Sequence, residues 1–142
     1  ALLENAPSEK PFALLLLDVD NFKQTNDRYG HPKGDAVLRC LGENLSGLFR
    51  RDDVVGRVGG DEFLMMMPGA GGEQAVGRAR KIAQEMCRSV SVQCGVDVSG
   101  SIGVVLSKPG ACAYEELLRR ADSALYAAKA AGKGCYRVYG GA

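Results

Sequence analysis

Four acidic side chains dominate the chemistry open to this chain. Asp18 and Asp20 close the apolar run Phe12-Ala-Leu-Leu-Leu-Leu17, and Asp61 and Glu62 follow the glycine pair Gly59-Gly60. If those two segments are neighbouring strands, three or four carboxylates converge at one edge of a sheet. Such a cluster repels itself unless a cation neutralises it. Mg²⁺ suits the set, because it takes hard oxygen ligands, few of them from protein and the rest from water and phosphate. Two such ions can activate an attacking oxygen and stabilise charge on a phosphate. The same residues also suit a strand end, a helix cap and a solvated turn, places where acidic side chains are common. Spacing alone leaves both readings open.

Three further sets bear on the site. Lys129 and Lys133 stand four apart at the end of the last helical stretch, on one face if the helix persists, and can hold a triphosphate tail. Lysines there also complement the helix macrodipole, whatever else they do. Asn26 and Asp35 can read guanine: a carboxylate accepts from the N1–H and N2–H₂ edge while an amide reads O6 or N7. Adenine lacks that donor edge, so unpaired site groups would penalise it. The plainer roles are an N-cap for Asp35 and a surface position for Asn26. His31, the only histidine, has no metal-ligand partner nearby and reads as a turn residue, and Met65-Met66-Met67 reads as ordinary strand packing.

Placing these groups requires a particular order of elements. The run from Phe12 has the composition of a central strand buried on both faces or equally of a buried helix, and its shortness and acidic stop favour the strand. A short helix over about 21–28 follows, with Asp20 as its N-cap and Gly30 at its end. Val37, Leu38, Leu41, Leu45, Leu48 and Phe49 recur at helical spacing and predict a helix that begins just after Asp35. Residues 54–58 and 62–67 predict a hairpin with Gly59-Gly60 as a two-residue turn in which both residues can take φ > 0. A helix over about 72–89, a strand over 98–106, a helix over 114–131 and a last strand over 135–139 complete the order β-α-α-β-β-α-β-α-β. The fold class is therefore α+β, with helices on a largely antiparallel sheet, because the hairpin forces an antiparallel pair. No G-x-x-x-x-G-K-[ST] and no strand-linked G-x-G-x-x-G is present.

Composition narrows the classes. The chain has 142 residues, a net charge of +1 and 46% hydrophobic content, which suits one domain over 1–142 with a sizeable core. Such a charge gives no case for long nucleic acid or for direct membrane contact. Five scattered cysteines without a C-x-x-C pair point to a reducing compartment, and the cytoplasm is the expected location. Another domain of a full-length protein is free to supply a membrane anchor. Residues 1–10 lack patterning and read as the remnant of a linker from an upstream region.

These features arrive together as Asp18-Val-Asp20-Asn-Phe22-Lys23-x-x-Asn26-Asp27-x-x-Gly30-His31-x-x-Gly34-Asp35 and then Arg57-Val-Gly59-Gly60-Asp61-Glu62-Phe63. The pattern strongly resembles the GGDEF family of diguanylate cyclases. Ser101-Ile102-Gly103 and Ala121-Asp122-x-Ala124-Leu125-Tyr126-x-Ala128-Lys129, running on to Gly132-Lys133, extend the match from about Phe12 to Tyr139. The resemblance implies a five-stranded, mostly antiparallel sheet flanked by helices, similar to nucleotidyl cyclase and polymerase palm domains. It implies the condensation of two GTP into cyclic di-GMP with release of pyrophosphate, dependent on Mg²⁺ or alternatively Mn²⁺. By position, Asp18, Glu62 and the carbonyl of Val19 would hold metal, and Asp61 would act beside it as ligand or as base for the ribose 3′-OH. Asn26 and Asp35 would read guanine. The backbone N–H groups of Phe22 and Lys23, with Lys129 and Lys133, would hold the β- and γ-phosphates. Gly59 and Gly60 would leave room for GTP against the hairpin backbone. One domain binds one GTP, so a homodimer is needed for catalysis, and an upstream sensory or dimerising region is expected.

Arg50-Arg-Asp-Asp53 stands at the family's distance for its product-inhibition site, where Arg50 and Asp53 would bind cyclic di-GMP, with a further contact from Arg78 or Arg80. The family usually opens with a helix and a D-x-L-T-x-L-x-N-R segment that this sequence lacks, so weak or absent activity is expected of the chain alone. Gly134 replaces a frequent Asn. The alternatives are a non-catalytic module that binds GTP or cyclic di-GMP and regulates an attached domain, and a pairing domain for a downstream phosphodiesterase.

Overall fold

Eight consecutive buried residues, Phe12–Val19, form β1 at the centre of the sheet. The computed structural model describes residues 10–141, so the segment read as a linker remnant lies, except for Lys10, outside the described residues. After β1 come α1 (Phe22–Tyr29), α2 (His31–Leu48), β2 (Val54–Arg57), β3 (Glu62–Pro68) and α3 (Gly72–Lys81). One π-helical turn, Ile82–Met86, joins α3 to α4 (Cys87–Cys94). Then follow β4 (Gly100–Ser107), α5 (Tyr114–Ala130) and β5 (Tyr136–Val138).

The strand order is β2-β3-β1-β4-β5, antiparallel everywhere except the β4–β5 pair. The α+β expectation and the mostly antiparallel sheet are therefore observed. Strand periodicity sorts β1 into two cores. Ala13, Leu15, Leu17 and Val19 join Val37, Leu41, Met65, Ile82 and Val90 on one side, while Phe12, Leu14 and Leu16 meet Leu64, Val105, Leu117 and Leu125 on the side of α5. The methionine run alternates as strand packing requires, with Met65 and Met67 buried and Met66 half-buried.

Close packing of α5 on β4 depends on small residues. Ala121, Ala124 and Ala128 line the helix face, and Gly103 lies opposite. A Cβ on Gly103 would stand 2.2 Å from the Ala121 carbonyl oxygen and 2.6 Å from the Leu125 nitrogen. Backbone atoms on both sides leave no flexible group to yield.

Several sequence expectations are corrected. Helix α2 begins at His31 rather than after Asp35, because Gly30 at φ 90° ends α1 and lets the next helix start at once, with Pro32 in its tolerant first turn. Asp35 is thus inside α2 and does not cap it, and His31 is helical. Asp20 does not cap α1 either. Asn21, in left-handed conformation at φ 54°, holds the cap position without a side-chain bond. The hairpin is closed by Val58 N–H donating to the Glu62 carbonyl at 3.0 Å, which makes a three-residue loop of Gly59, Gly60 and Asp61. Neither glycine has positive φ.

Gly103→Ala should lower stability by about 1–3 kcal/mol through overpacking against α5. Urea unfolding reads this directly, and an unchanged midpoint would contradict the close approach.

Candidate functional site

The C-terminal end of β1 and the start of β3 bring the acidic residues together. Asp18 pairs in register with Glu62 on β3 and with Ser101 on β4. Cβ atoms of directly opposed residues on antiparallel strands lie about 4.5–5.5 Å apart, and like charges there are destabilising. Asp61 is tied in by its carbonyl, which accepts from Val19 N–H at 3.1 Å. From α5, the Lys129 ammonium donates to Asp18 Oδ2. The other Asp18 oxygen, Oδ1, is buried without a hydrogen-bond partner among the described residues.

The electrostatics follow from this crowding. Burial raises the Asp18 carboxyl above its ordinary range, and the charge of Asp61 adds to that, so together they outweigh the Lys129 contact. Burial likewise raises Glu62, followed by the charges of Asp18, Asp122 and Asp61. Burial works against the Lys129 charge, yet its hydrogen bond to Asp18 and the nearby Asp20 and Asp61 hold the ammonium above its usual value. Among the described residues no three His, Cys, Asp or Glu side chains form a ready-made metal cage. A Mg²⁺ site needs less than that, since one or two carboxylates with water and phosphate suffice. The orphaned Asp18 Oδ1 beside Glu62 is a donor set that fits such an ion.

At the other side of β1, the chain enters α1 through Asn21. The N-terminus of α1 has no side-chain cap, which leaves the first N–H groups, those of Phe22 and Lys23, without a side-chain acceptor. Lys133 reaches this point from the exit of α5, its ammonium donating to Asn21 Oδ1 at 2.7 Å. Lys129 and Lys133 are not on one helical face, as their spacing had suggested. The helix ends at Ala130, and Lys133 is left-handed at φ 65° in the following turn. They converge all the same, one on Asp18 and one at the start of α1.

Asn26 lies on Gly34 of the neighbouring helix. A Cβ at Gly34 would stand 1.8 Å from Asn26 Oδ1 and 3.2 Å from the Phe22 ring, so the glycine is what admits the amide. That Oδ1 is buried and has no hydrogen-bond partner among the described residues. Asp35, next along α2, is exposed and lines an open groove of about 870 Å³ with Leu38, Arg39, Arg57 and Phe63. Of the loop glycines, Gly60 has open space where a Cβ would be, whereas one on Gly59 would press on Glu62 Oε1 at 3.0 Å.

Arg50 and Asp53 are placed elsewhere, at the opposite end of β3. Their turn closes on itself, with Arg50 N–H donating to Asp53 Oδ2 at 2.8 Å and Asp53 N–H to the Arg50 carbonyl at 3.0 Å. They line a groove of about 330 Å³ together with Arg78 and Lys81. Arg78 also donates to the Leu48 carbonyl and stacks on Phe49. Arg80 points away to Tyr136.

Sequence reasoning named two residues without finding what they do. Arg57 latches the hairpin loop, donating to the Gly59 carbonyl at 3.2 Å and to the Gly60 carbonyl at 2.7 Å. Its place two residues before the glycine pair was the available signal. Asp20 is buried and gathers bonds from Ser99, Ser101 and Gly134, and no local spacing announces partners so distant in the chain.

Comparison with known proteins agrees with this arrangement. A sequence model described as "Diguanylate cyclase, GGDEF domain" matches residues 1–135. Diguanylate cyclase TpbB of Pseudomonas aeruginosa is 37% identical over 141 residues, which cover 97% of this chain and 32% of that protein. The solved active GGEEF domain of a diguanylate cyclase from Vibrio cholerae superposes with a TM-score of 0.83 at 32% identity, over 92% of this chain and 83% of that one. The GGDEF domain of DgcB from Caulobacter crescentus, solved in complex with c-di-GMP, gives 0.82 at 28% identity, over 92% and 79%. The chain spans about a third or less of the length of the curated relatives it matches. With the family sequence over nearly its whole length and the family fold around the opposed Asp18 and Glu62, this chain belongs to the GGDEF family of diguanylate cyclase domains.

Proposed function

We propose that the chain, acting as one domain, is the catalytic half-site of a diguanylate cyclase, binding one GTP and condensing it with a second GTP held by another copy to give cyclic di-GMP and two pyrophosphates. The observation that carries this reading is the register pair Asp18–Glu62, with an orphaned buried oxygen on Asp18. A module that bound only cyclic di-GMP, at Arg50 and Asp53, would have no use for so costly a pair of acids.

Each residue has a part in it. Asp18, Glu62 and the Val19 carbonyl would hold Mg²⁺ or Mn²⁺, with Asp61 beside them as a further ligand or as base for the 3′-OH. When bound, the metal supplies positive charge to the phosphates and acidity to the attacking hydroxyl. Lys129 and Lys133 neutralise the β- and γ-phosphates, and the uncapped N–H groups of Phe22 and Lys23 point their donors at the same anion. Asn26 and Asp35 read the guanine edge from the α1–α2 corner. Gly59 and Gly60 let the nucleotide approach the hairpin, whose loop Arg57 holds still. Because the attacking hydroxyl belongs to the second nucleotide, catalysis consists chiefly of positioning two such half-sites face to face. Arg50 and Asp53, with Arg78 but without Arg80, would take cyclic di-GMP at the distant groove. The DgcB relative crystallised with that ligand supports binding by the family.

The protein fused to a dimeriser and given GTP with Mg²⁺ should form cyclic di-GMP, and Glu62→Gln should reduce the rate by about a hundredfold or more while remaining folded. An inert wild type in that assay would sink the catalytic reading.

Nucleotide choice tests the base-reading pair. Asp35→Ala should weaken GTP binding by roughly 1–3 kcal/mol and leave the far weaker ATP binding unchanged. Equal losses for both nucleotides would move Asp35 out of the base site.

Stability should depend on pH and metal with a definite sign. The folded pKa values of Asp18 and Glu62 are raised, so between their unfolded and folded values the folded state holds more protons. These two groups therefore destabilise the metal-free fold as pH rises through the carboxylate range, and the cost is fully present at neutral pH. Glu62→Gln should accordingly raise the metal-free Tm at pH 7. Mg²⁺ should raise the wild-type Tm more than that of the variant. The opposite order in calorimetry would refute the assignment.

A further inference from the structure

Asp20 is the buried carboxylate for which the proposed reaction finds no use. It is 6% exposed, and it accepts three hydrogen bonds. Ser101 Oγ donates to Oδ1 at 2.6 Å, while Ser99 Oγ at 2.7 Å and the Gly134 backbone N–H at 2.9 Å donate to Oδ2. Its own N–H donates to the Ser99 carbonyl at 2.9 Å. The group thus ties the end of β1 to the start of β4 and to the turn after α5.

That turn is unusual. Lys133 and Gly134 are both left-handed, at φ 65° and 62°, and a side chain at the first of them is disfavoured there. Something must hold Lys133 in that conformation. Its own N–H donates to the Ala128 carbonyl at 3.2 Å, and the next N–H is the one Asp20 takes. So held, the Lys133 ammonium reaches Asn21 Oδ1, directly beside Asp20 in sequence and at the uncapped start of α1.

We infer that Asp20 is a positioning residue for the triphosphate: through the Gly134 N–H it fixes the turn that carries Lys133 and so sets this ammonium over the N-terminus of α1. The inference rests on the reading of Lys133 as a phosphate ligand and deepens it. A carboxylate is acceptor-only and takes all three donors, the Gly134 N–H and Ser99 Oγ on one oxygen and Ser101 Oγ on the other. An amide can keep the Gly134 N–H by presenting its oxygen there and its NH₂ to Ser101 Oγ, which rotates to accept. Alanine leaves the Gly134 N–H without an acceptor.

The test is binding of 3′-deoxy-GTP, which has the triphosphate but no attacking hydroxyl, against 3′-deoxy-GMP, which lacks the β- and γ-phosphates. Both are titrated calorimetrically with Mg²⁺ into wild type, Asp20→Ala, Lys133→Ala and the double variant. Asp20→Ala and Lys133→Ala should each weaken the triphosphate by about fivefold to tenfold and leave the monophosphate unchanged, and the double variant should be no weaker than Lys133→Ala. Losses that multiply in the double variant, or that fall equally on both nucleotides, would overturn the inference, since a merely structural role moves both. Normal triphosphate binding by Lys133→Ala would remove the phosphate role of Lys133 and the positioning role of Asp20 with it. A loss in Lys133→Ala without one in Asp20→Ala would remove only the latter. Should Asp20→Ala not fold, amide exchange in the unsubstituted protein decides the matter. The Gly134 N–H should exchange at least about tenfold slower than a free amide, and exchange at the free rate overturns the inference.

Discussion

Asp18 and Glu62 face each other across β1 and β3, both drawn partly out of water, and both would be less strained apart. Nothing local favours this arrangement. It is imposed by the register of two strands whose remaining residues are almost all apolar, so sliding either strand would expose a core face. The repulsion therefore persists because the sheet outweighs it, and the neighbouring parts of the fold serve to contain it. Helix α5 must lie close enough for Lys129 to reach Asp18, which is what the alanine face and Gly103 permit. The hairpin must present Glu62 at a fixed height, which the Arg57 latch provides.

The unpaired atoms point the same way. Two buried side-chain oxygens lack hydrogen-bond partners among the described residues, Asp18 Oδ1 and Asn26 Oδ1. A buried polar atom left unpaired costs about 1–3 kcal/mol, so neither is there for the stability of the chain alone. One lies where the proposed metal would sit, and the other where the proposed guanine would. Gly34 reinforces this at Asn26, for it gives up helix propensity to make room for an amide oxygen that bonds to none of the described residues.

Much of this was legible in the sequence, and the failures are physical ones. The unbroken apolar run at Phe12 could only be a doubly buried strand or helix, and its acidic stop marked the sheet edge. The hairpin and the α5 face followed from periodicity. The start of α2 did not, because His31-Pro32 between two glycines has turn composition while proline is equally at home in a first helical turn. Gly59-Gly60 suggested positive φ, whereas the loop is three residues long and needs the glycines for lack of bulk. Lys129 and Lys133 were paired for the wrong reason: they meet through a left-handed turn after the helix has ended. Asp20 was misassigned as a cap because its partners Ser99, Ser101 and Gly134 come together only in the folded sheet.

The position of Arg50 and Asp53 constrains how any ligand there could act. Their turn sits at the far end of β3 from Glu62 and satisfies its own backbone donors, so filling the groove beside Arg78 displaces nothing at the carboxylates. The two grooves stand at opposite ends of β3, and the core between them is close-packed Leu and Met that has little room to move. On the proposed reading, then, cyclic di-GMP held there cannot compete with GTP for the half-site. It would act instead on how two domains are presented to each other. Regulation of that kind requires the half-site to be inert alone, and a fold that keeps two acids opposed while leaving the attacking hydroxyl to another copy meets that requirement.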